Sequence, residues 1–198
     1  MNVHVPPSTV TQSAPERDAG PWRFTVADVE RMVEAGILRE QDRVELINGE
    51  LIAMPPKTPA HENPRNRLVR LLNRSLPEPY MAAGETTLRL DDDSYVEPDV
   101  IVYDDAMGVE ALRGQTTLLI VEVSVSSLDY DLNRKPATYA AHGVRELWVV
   151  DVEGRRVRVH RSPRGDAYSD VTDSDWTAAL CPLFRPELRA SMADLVGD

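Results

Sequence analysis

The most strongly patterned stretch of the chain is Leu118-Leu119-Ile120-Val121-Glu122-Val123-Ser124-Val125, an apolar run with one carboxylate in its middle. A run of this length, rich in β-branched residues, predicts a strand buried on both faces of a sheet. Upstream, Tyr95-Val96-Glu97-Pro98-Asp99-Val100-Ile101-Val102-Tyr103 predicts a second strand. Proline marks a strand edge, bulge or start, so Asp99 is expected where the chain enters the sheet. Downstream, a polar stretch from Ser126 to Arg134 leads into a helical segment from near Lys135 to about His142, stopped at Gly143. Pro136 sets that late start, because a residue before proline is pushed away from helical geometry. Residues 144–151 predict another strand. Strand, loop, helix and strand in this order suggest a parallel crossover unit.

The flanking segments fill in the rest. Thr25 reads as the N-cap of a helix through Val29, Met32 and Val33 that ends at Gly36. Residues 43–54 form a hairpin around Asn48-Gly49, a strong short turn signal. A proline-rich loop over 55–60 delivers His61, and a helix follows over about 63–75 with Leu68, Leu71 and Leu72 as its apolar stripe. Residues 86–90 pair with the strand from Tyr95 across the turn Asp91-Asp92-Asp93-Ser94. Residues 147–152 and 157–161 make a further hairpin, 168–180 a strand or irregular segment, and a short helix begins near Ser191. The alternation predicts a mixed α/β fold. Its central mixed β-sheet should contain strands around 45–53, 86–90, 96–103, 118–125 and 147–151, flanked by helices. Residues 1–20 show no periodicity and are expected to be a mobile tail; residues 21–198 form a single domain.

Composition narrows the function. No apolar run approaches the roughly 20 residues needed to span a bilayer, and the beginning of the chain lacks the pattern of a secretory signal. The lone Cys181 excludes an internal disulfide. A cytoplasmic location is the default expectation. The net charge of −11 argues against non-specific binding to a polyanion. Basic residues nevertheless cluster at Lys57, Arg65, Arg67, Arg70 and Arg74, and again at Arg155, Arg156, Arg158, Arg161 and Arg164. Arg67, Arg70 and Arg74 share one helix face, which reads either as solvated surface or as contacts to nucleic-acid phosphates. The chain has two lysines, Lys57 and Lys135, and the second follows the acidic pair.

That pair raises the chemical question. An ionised Glu122 inside a sheet costs several kcal/mol unless a cation or hydrogen bonds compensate it. The plain readings are a strand-end glutamate with a hydrogen-bond partner and a Pro-Asp turn. The chemical reading is two neighbouring strands, each with one carboxylate, holding a divalent cation between them. Residues 120, 122 and 124 share a face, so Ser124 points to the same side as Glu122 but supplies no cation. His61 is either a cap or loop contact, or a group that positions a phosphate or an attacking water. No glycine-rich phosphate loop and no paired Cys/His zinc spacing occurs.

Pro98-Asp99, Glu122-Val123-Ser124, Lys135, Tyr139, Gly143, Glu146 and Trp148, with Glu45-Leu46-Ile47-Asn48-Gly49-Glu50-Leu51 and His61, resemble the Uma family of predicted bacterial restriction endonucleases. That family belongs to the PD-(D/E)xK nuclease superfamily, and the resemblance covers about residues 25–195. It implies a restriction-endonuclease-like core and a metal-dependent endonuclease acting on DNA. Asp99, Glu122 and the main-chain carbonyl of Val123 would hold Mg2+ (or Mn2+). The superfamily pattern places a lysine where this chain has Ser124; in the family the lysine has moved to the following helix, where Lys135 stands and would assist the attacking water. A glutamate at Glu45 is often counted with the family's active site, against the plain reading of a surface residue on an antiparallel strand. Cutting both strands of a duplex suggests a homodimer. The alternative function is a nuclease fold kept as a binding or regulatory module; a weaker one is hydrolysis of another phosphoester.

Overall fold

The computed structural model describes residues 20–39, 41–56, 58–125 and 128–196, with the backbone alone for 128–130 and 195. The expectation for a tail over 1–20 falls, apart from Gly20, outside these residues, as does Lys57. In chain order the elements are α1 (Val26–Glu34), β1 (Val44–Ile47), β2 (Glu50–Ala53), α2 (Pro59–Ser75), β3 (Tyr80–Gly84), β4 (Leu88–Arg89), β5 (Tyr95–Val96), β6 (Val100–Asp104), β7 (Leu119–Ser124), α3 (Leu128–Ala141), β8 (Glu146–Asp151), β9 (Arg156–Arg164), β10 (Ala167–Asp175) and α4 (Met192–Val196).

The fold is mixed α/β, but its strands form two sheets and not the single sheet expected. A six-stranded sheet runs β10-β9-β8-β7-β6-β3, and a four-stranded sheet runs β2-β1-β5-β4. The expected strand over 95–103 is split between them, with β5 in the small sheet and β6 in the large one. Pro98 lies at the break. It has no N–H for a ladder, so the chain leaves one sheet and enters the other across Glu97-Pro98-Asp99.

Within the large sheet β7 and β8 are parallel, with α3 as the crossover between them, and the other pairs are antiparallel. Every residue of β7 is buried, as its unbroken apolar pattern requires. Strand parity divides the core. Val100, Val102, Leu119, Val121, Val123, Trp148 and Val150 pack with Leu68 and Leu72 of α2 and with Met192 of α4. Ile101, Tyr103, Ile120, Leu147 and Val149 pack with Tyr139 and Ala140 of α3 and with Ile47 and Val96 of the small sheet. Glu122, in step with Ile120, therefore belongs to the α3 side.

Several local signals work as read. Thr25 and Asp28 form a reciprocal capping box at the start of α1. Asn48 (φ 52°) and Gly49 (φ 75°) both take positive φ, the backbone of a two-residue type I′ hairpin turn. Helix α2 begins earlier than expected. Thr58 is its N-cap and Pro59 opens it, so His61 lies in its first turn and not in a preceding loop. Helix α3 also begins earlier, at Leu128, and continues through Pro136. The missing N–H of Pro136 removes one backbone bond to Leu132, while Lys135, Pro136 and Thr138–Ala140 are buried against the sheets. Tertiary packing overrides the local preference there. The edge strand β3, poor in β-branched residues, is absent from the sequence expectation. Its backbone is tied to α2 by Asn73, whose side chain bonds both the N–H and the carbonyl of Ala82 (2.8 and 2.7 Å).

Candidate active site

The break at Pro98 shapes the site. Val100 pairs with Val121, so the same register sets Asp99 opposite Glu122 and Pro98 opposite Val123. Opposed residues of an antiparallel pair lie on one face, which brings the two carboxylates together. Pro98 does not continue the ladder. Oδ2 of Asp99 instead accepts the hydrogen bond of the Val123 N–H at 2.7 Å, and the Asp99 N–H lies 3.5 Å from Oε2 of Glu122. In an extended strand the N–H and carbonyl of one residue point to the same side. The Val123 carbonyl thus faces the place where β6 has ended, and Pro98 has no N–H to offer it.

Glu122 is fully buried and held from two sides by α3. The Tyr139 hydroxyl donates to Oε1 at 2.5 Å, and the Lys135 ammonium lies 3.0 Å from Oε2. Lys135 is itself 3% exposed, with Oδ1 of Asp131 at 3.6 Å and Oε1 of Glu45 at 4.0 Å. Asp131, Lys135 and Tyr139 are spaced four residues apart, so one face of α3 carries all three.

Charge is distributed unevenly in this space. Burial pushes the Glu122 carboxyl up to about 8; Lys135 opposes the rise, and Asp99, Asp131 and Glu45 add to it. Burial would draw the Lys135 ammonium down, but Glu122, Glu45, Asp131 and Asp99 hold it far above its ordinary value. Burial also works against ionised Asp99, yet the His61 hydrogen bond, Lys135 and the Val123 N–H outweigh it and lower its pKa. Glu45 is raised, chiefly by burial.

Glu45 is completely buried, which overturns the plain reading of a surface residue. Its Oε1 accepts the N–H of Glu97 at 3.0 Å, and its Oε2 is buried with no hydrogen-bond partner among the described residues. His61 reaches the pair from α2, with Nε2 3.0 Å from Oδ2 of Asp99, and that bond raises its pKa. Asp99, Glu122, Lys135, Glu45 and His61 therefore converge, drawn from both sheets and two helices.

Other candidates lie apart. Arg67, Arg70 and Arg74 are exposed on α2, and Arg67 donates to the carbonyl of Val196 at 2.8 Å. Arg65 does not belong to that surface cluster: it is 5% exposed and pairs with Glu62 at 2.8 Å and with Glu85. Ser124 is buried, with no partner for its hydroxyl among the described residues. Glu146 lies on the opposite face of the sheet. It accepts from the Trp148 indole (2.9 Å), the Arg161 guanidinium (2.9 and 2.6 Å) and the Leu183 N–H (2.6 Å), so it is part of the framework. Asp131 and the Tyr139 hydroxyl are the site groups the sequence reading left without a role. Their spacing around Lys135 signals them once α3 is known to begin at Leu128.

No three of the described His, Cys, Asp and Glu side chains form a ready-made metal cage. A hard cation that keeps several waters does not require one. Asp99, Glu122, Glu45 and Asp131 outnumber the cations Lys135 and His61, and Glu45 leaves an unpartnered carboxylate oxygen. This surplus of buried carboxylate oxygen suits a divalent ion such as Mg2+ or Mn2+.

Two comparisons relate the chain to known proteins. Residues 26–193 match the family model Uma2, described as "Putative restriction endonuclease", and the chain belongs to that family. The fold is similar to a crystal structure of a "putative nuclease belonging to DUF820" from Anabaena variabilis ATCC 29413. The TM-score is 0.67 at 20% identity, over 83% of this chain and 96% of that one. No curated protein matches the chain. Among the described residues no helix is long and apolar enough to cross a membrane.

Proposed function

We propose that this Uma2-family protein is an endonuclease that hydrolyses DNA phosphodiester bonds with the help of Mg2+ or Mn2+. The observation that carries the reading is the Lys135 ammonium 3.0 Å from Glu122, in a buried cluster that also holds Asp99. Asp99, Glu122 and the carbonyl of Val123 are the protein ligands. When bound, the cation lowers the pKa of a water and offsets charge building on the scissile phosphate. Lys135 orients the attacking water and supplies positive charge beside it. His61, whose Nε2 is 3.0 Å from Oδ2 of Asp99, would hold a phosphate oxygen or that water. Glu45 is a further ligand or a base for the water. Arg67, Arg70 and Arg74 offer phosphate contacts along α2, where positions seven residues apart stand roughly 10 Å apart.

The test is cleavage of supercoiled plasmid and of single-stranded DNA with Mg2+ or Mn2+. Wild-type protein nicks or linearises the substrate, and Asp99→Ala, Glu122→Ala and Lys135→Ala lose about two orders of magnitude or more in rate. The acidic balance of −11 favours a second reading, a nuclease fold retained for binding or regulation. Cation binding lost in Asp99→Ala, with no cleavage of any DNA by the wild type, would select it.

A further inference from the structure

The Lys135 ammonium sits between three carboxylates, nearest Glu122 and next nearest Asp131, four residues earlier on α3. If Asp99 and Glu122 take up a cation, Lys135 loses its closest partner to a stronger positive charge. A buried ammonium without a counter-charge is costly, so it must leave the site or find another seat. The helix provides one. Acid at i and base at i+4 is the favourable order for such a pair on a helix. Asp131 is 3% exposed, and its Oδ1 is 3.6 Å from the ammonium. Closing that gap to a charge-assisted hydrogen bond of about 2.8 Å takes a movement of under roughly 1 Å.

We propose that Asp131 is a positioning residue for Lys135: it receives the ammonium when a cation occupies Glu122 and so keeps Lys135 beside the reacting phosphate. This rests on the reading of Asp99 and Glu122 as cation ligands. Asp131 thereby acts through Lys135, while Glu45, 4.0 Å from the same ammonium, faces it from the small sheet. Without Asp131 the ammonium stays on Glu122, and an incoming cation must compete with it.

The experiment is a double-mutant cycle read by calorimetric titration of Mg2+, without DNA, on wild type, Asp131→Asn, Lys135→Met and the double variant. Mg2+ binding by the wild type that disappears in Asp99→Ala establishes the ligand reading separately; its absence would sink that reading and the handover with it. Given binding, Asp131→Asn is expected to weaken it about tenfold, equivalent to about 1.4 kcal/mol of affinity. The same substitution in the Lys135→Met background is expected to change it by less than about threefold, a non-additivity typical of residues in contact. Asp131→Glu should restore most of the affinity. Equal losses in both backgrounds would make Asp131 an independent charge and overturn the proposal, as would a wild-type affinity in Asp131→Asn. Melting temperatures of all variants without Mg2+ separate these outcomes from loss of fold.

Discussion

The Tyr139 hydroxyl donates to Oε1 of Glu122 at 2.5 Å while Lys135, one helical turn earlier, faces Oε2 of the same carboxylate. Both oxygens of a fully buried glutamate are thus answered by one helix. Tyr139→Phe removes one donor without changing shape and leaves a buried carboxylate oxygen unsatisfied. The expected loss of folding free energy is about 1.5–3 kcal/mol. Urea denaturation measures it, and if Glu122 is a cation ligand the deficit should shrink in saturating Mg2+, which would compensate the carboxylate oxygen that has lost its donor. A variant as stable as the wild type at neutral pH would show that the hydroxyl contributes nothing to holding Glu122.

His61 and His160 should give stability opposite slopes with pH. The Asp99 bond raises the pKa of His61 above 6.5, so its contribution is complete below that value and is lost as pH rises through the folded pKa. His160 is buried against Tyr168, and burial lowers it from 6.5 to about 4. The folded state resists protonating it, so that stability is complete above 6.5 and is lost as pH falls through about 4. Denaturation midpoints of His61→Gln should lose the wild type's decline above neutral pH. Those of His160→Gln should lose part of the decline between pH 6.5 and 4. Unchanged slopes in both variants would contradict these assignments.

The buried strands β7 and β8 and the Asn48-Gly49 hairpin could be read directly, because each rests on local periodicity or backbone preference. So could the pairing of Asp99 with Glu122, since one proline and one buried carboxylate were both anomalous. The two-sheet architecture could not, because strands too short to show periodicity, such as β4 and β5, take their partners from tertiary contacts. The true start of α3 was hidden by Pro136, and with it the face shared by Asp131, Lys135 and Tyr139. Glu45 carried no sign of burial in its own strand; what buries it is the packing of the small sheet against α3.

Glu146 belongs to the residues that carry the family resemblance, yet it lies across the sheet from the cation-binding candidates. Glu146→Ala strips partners from the Trp148 indole and from part of the Arg161 guanidinium. Arg161 is part-buried and keeps the Cys181 carbonyl, so the expected cost is about 1–3 kcal/mol, chiefly from the buried Trp148 indole left without an acceptor. Mg2+ affinity of the folded fraction, measured by titration at low temperature, should stay within about twofold of the wild type. A selective loss of Mg2+ binding without a loss of stability would place Glu146 among the functional residues after all.

Pro98 offers a test of how the ladder opening serves the site. It stands opposite Val123 in register, cannot donate a hydrogen bond, and leaves both the Val123 N–H for Asp99 and the Val123 carbonyl for another partner. Pro98→Ala restores an N–H at that position. If β6 extends by one residue pair, the new N–H takes the Val123 carbonyl and Asp99 is displaced from the Val123 N–H. The fold should tolerate this, because a ladder hydrogen bond is gained; its net worth is about 0.5–1.5 kcal/mol. Mg2+ binding should weaken about tenfold or more as one oxygen ligand is lost and Asp99 moves. Hydrogen exchange at the backbone amide that Pro98→Ala introduces reports whether the ladder has closed. A protected amide together with undiminished Mg2+ affinity would remove the Val123 carbonyl from the proposed ligand set and leave Asp99 and Glu122 as the candidates to hold the cation with water.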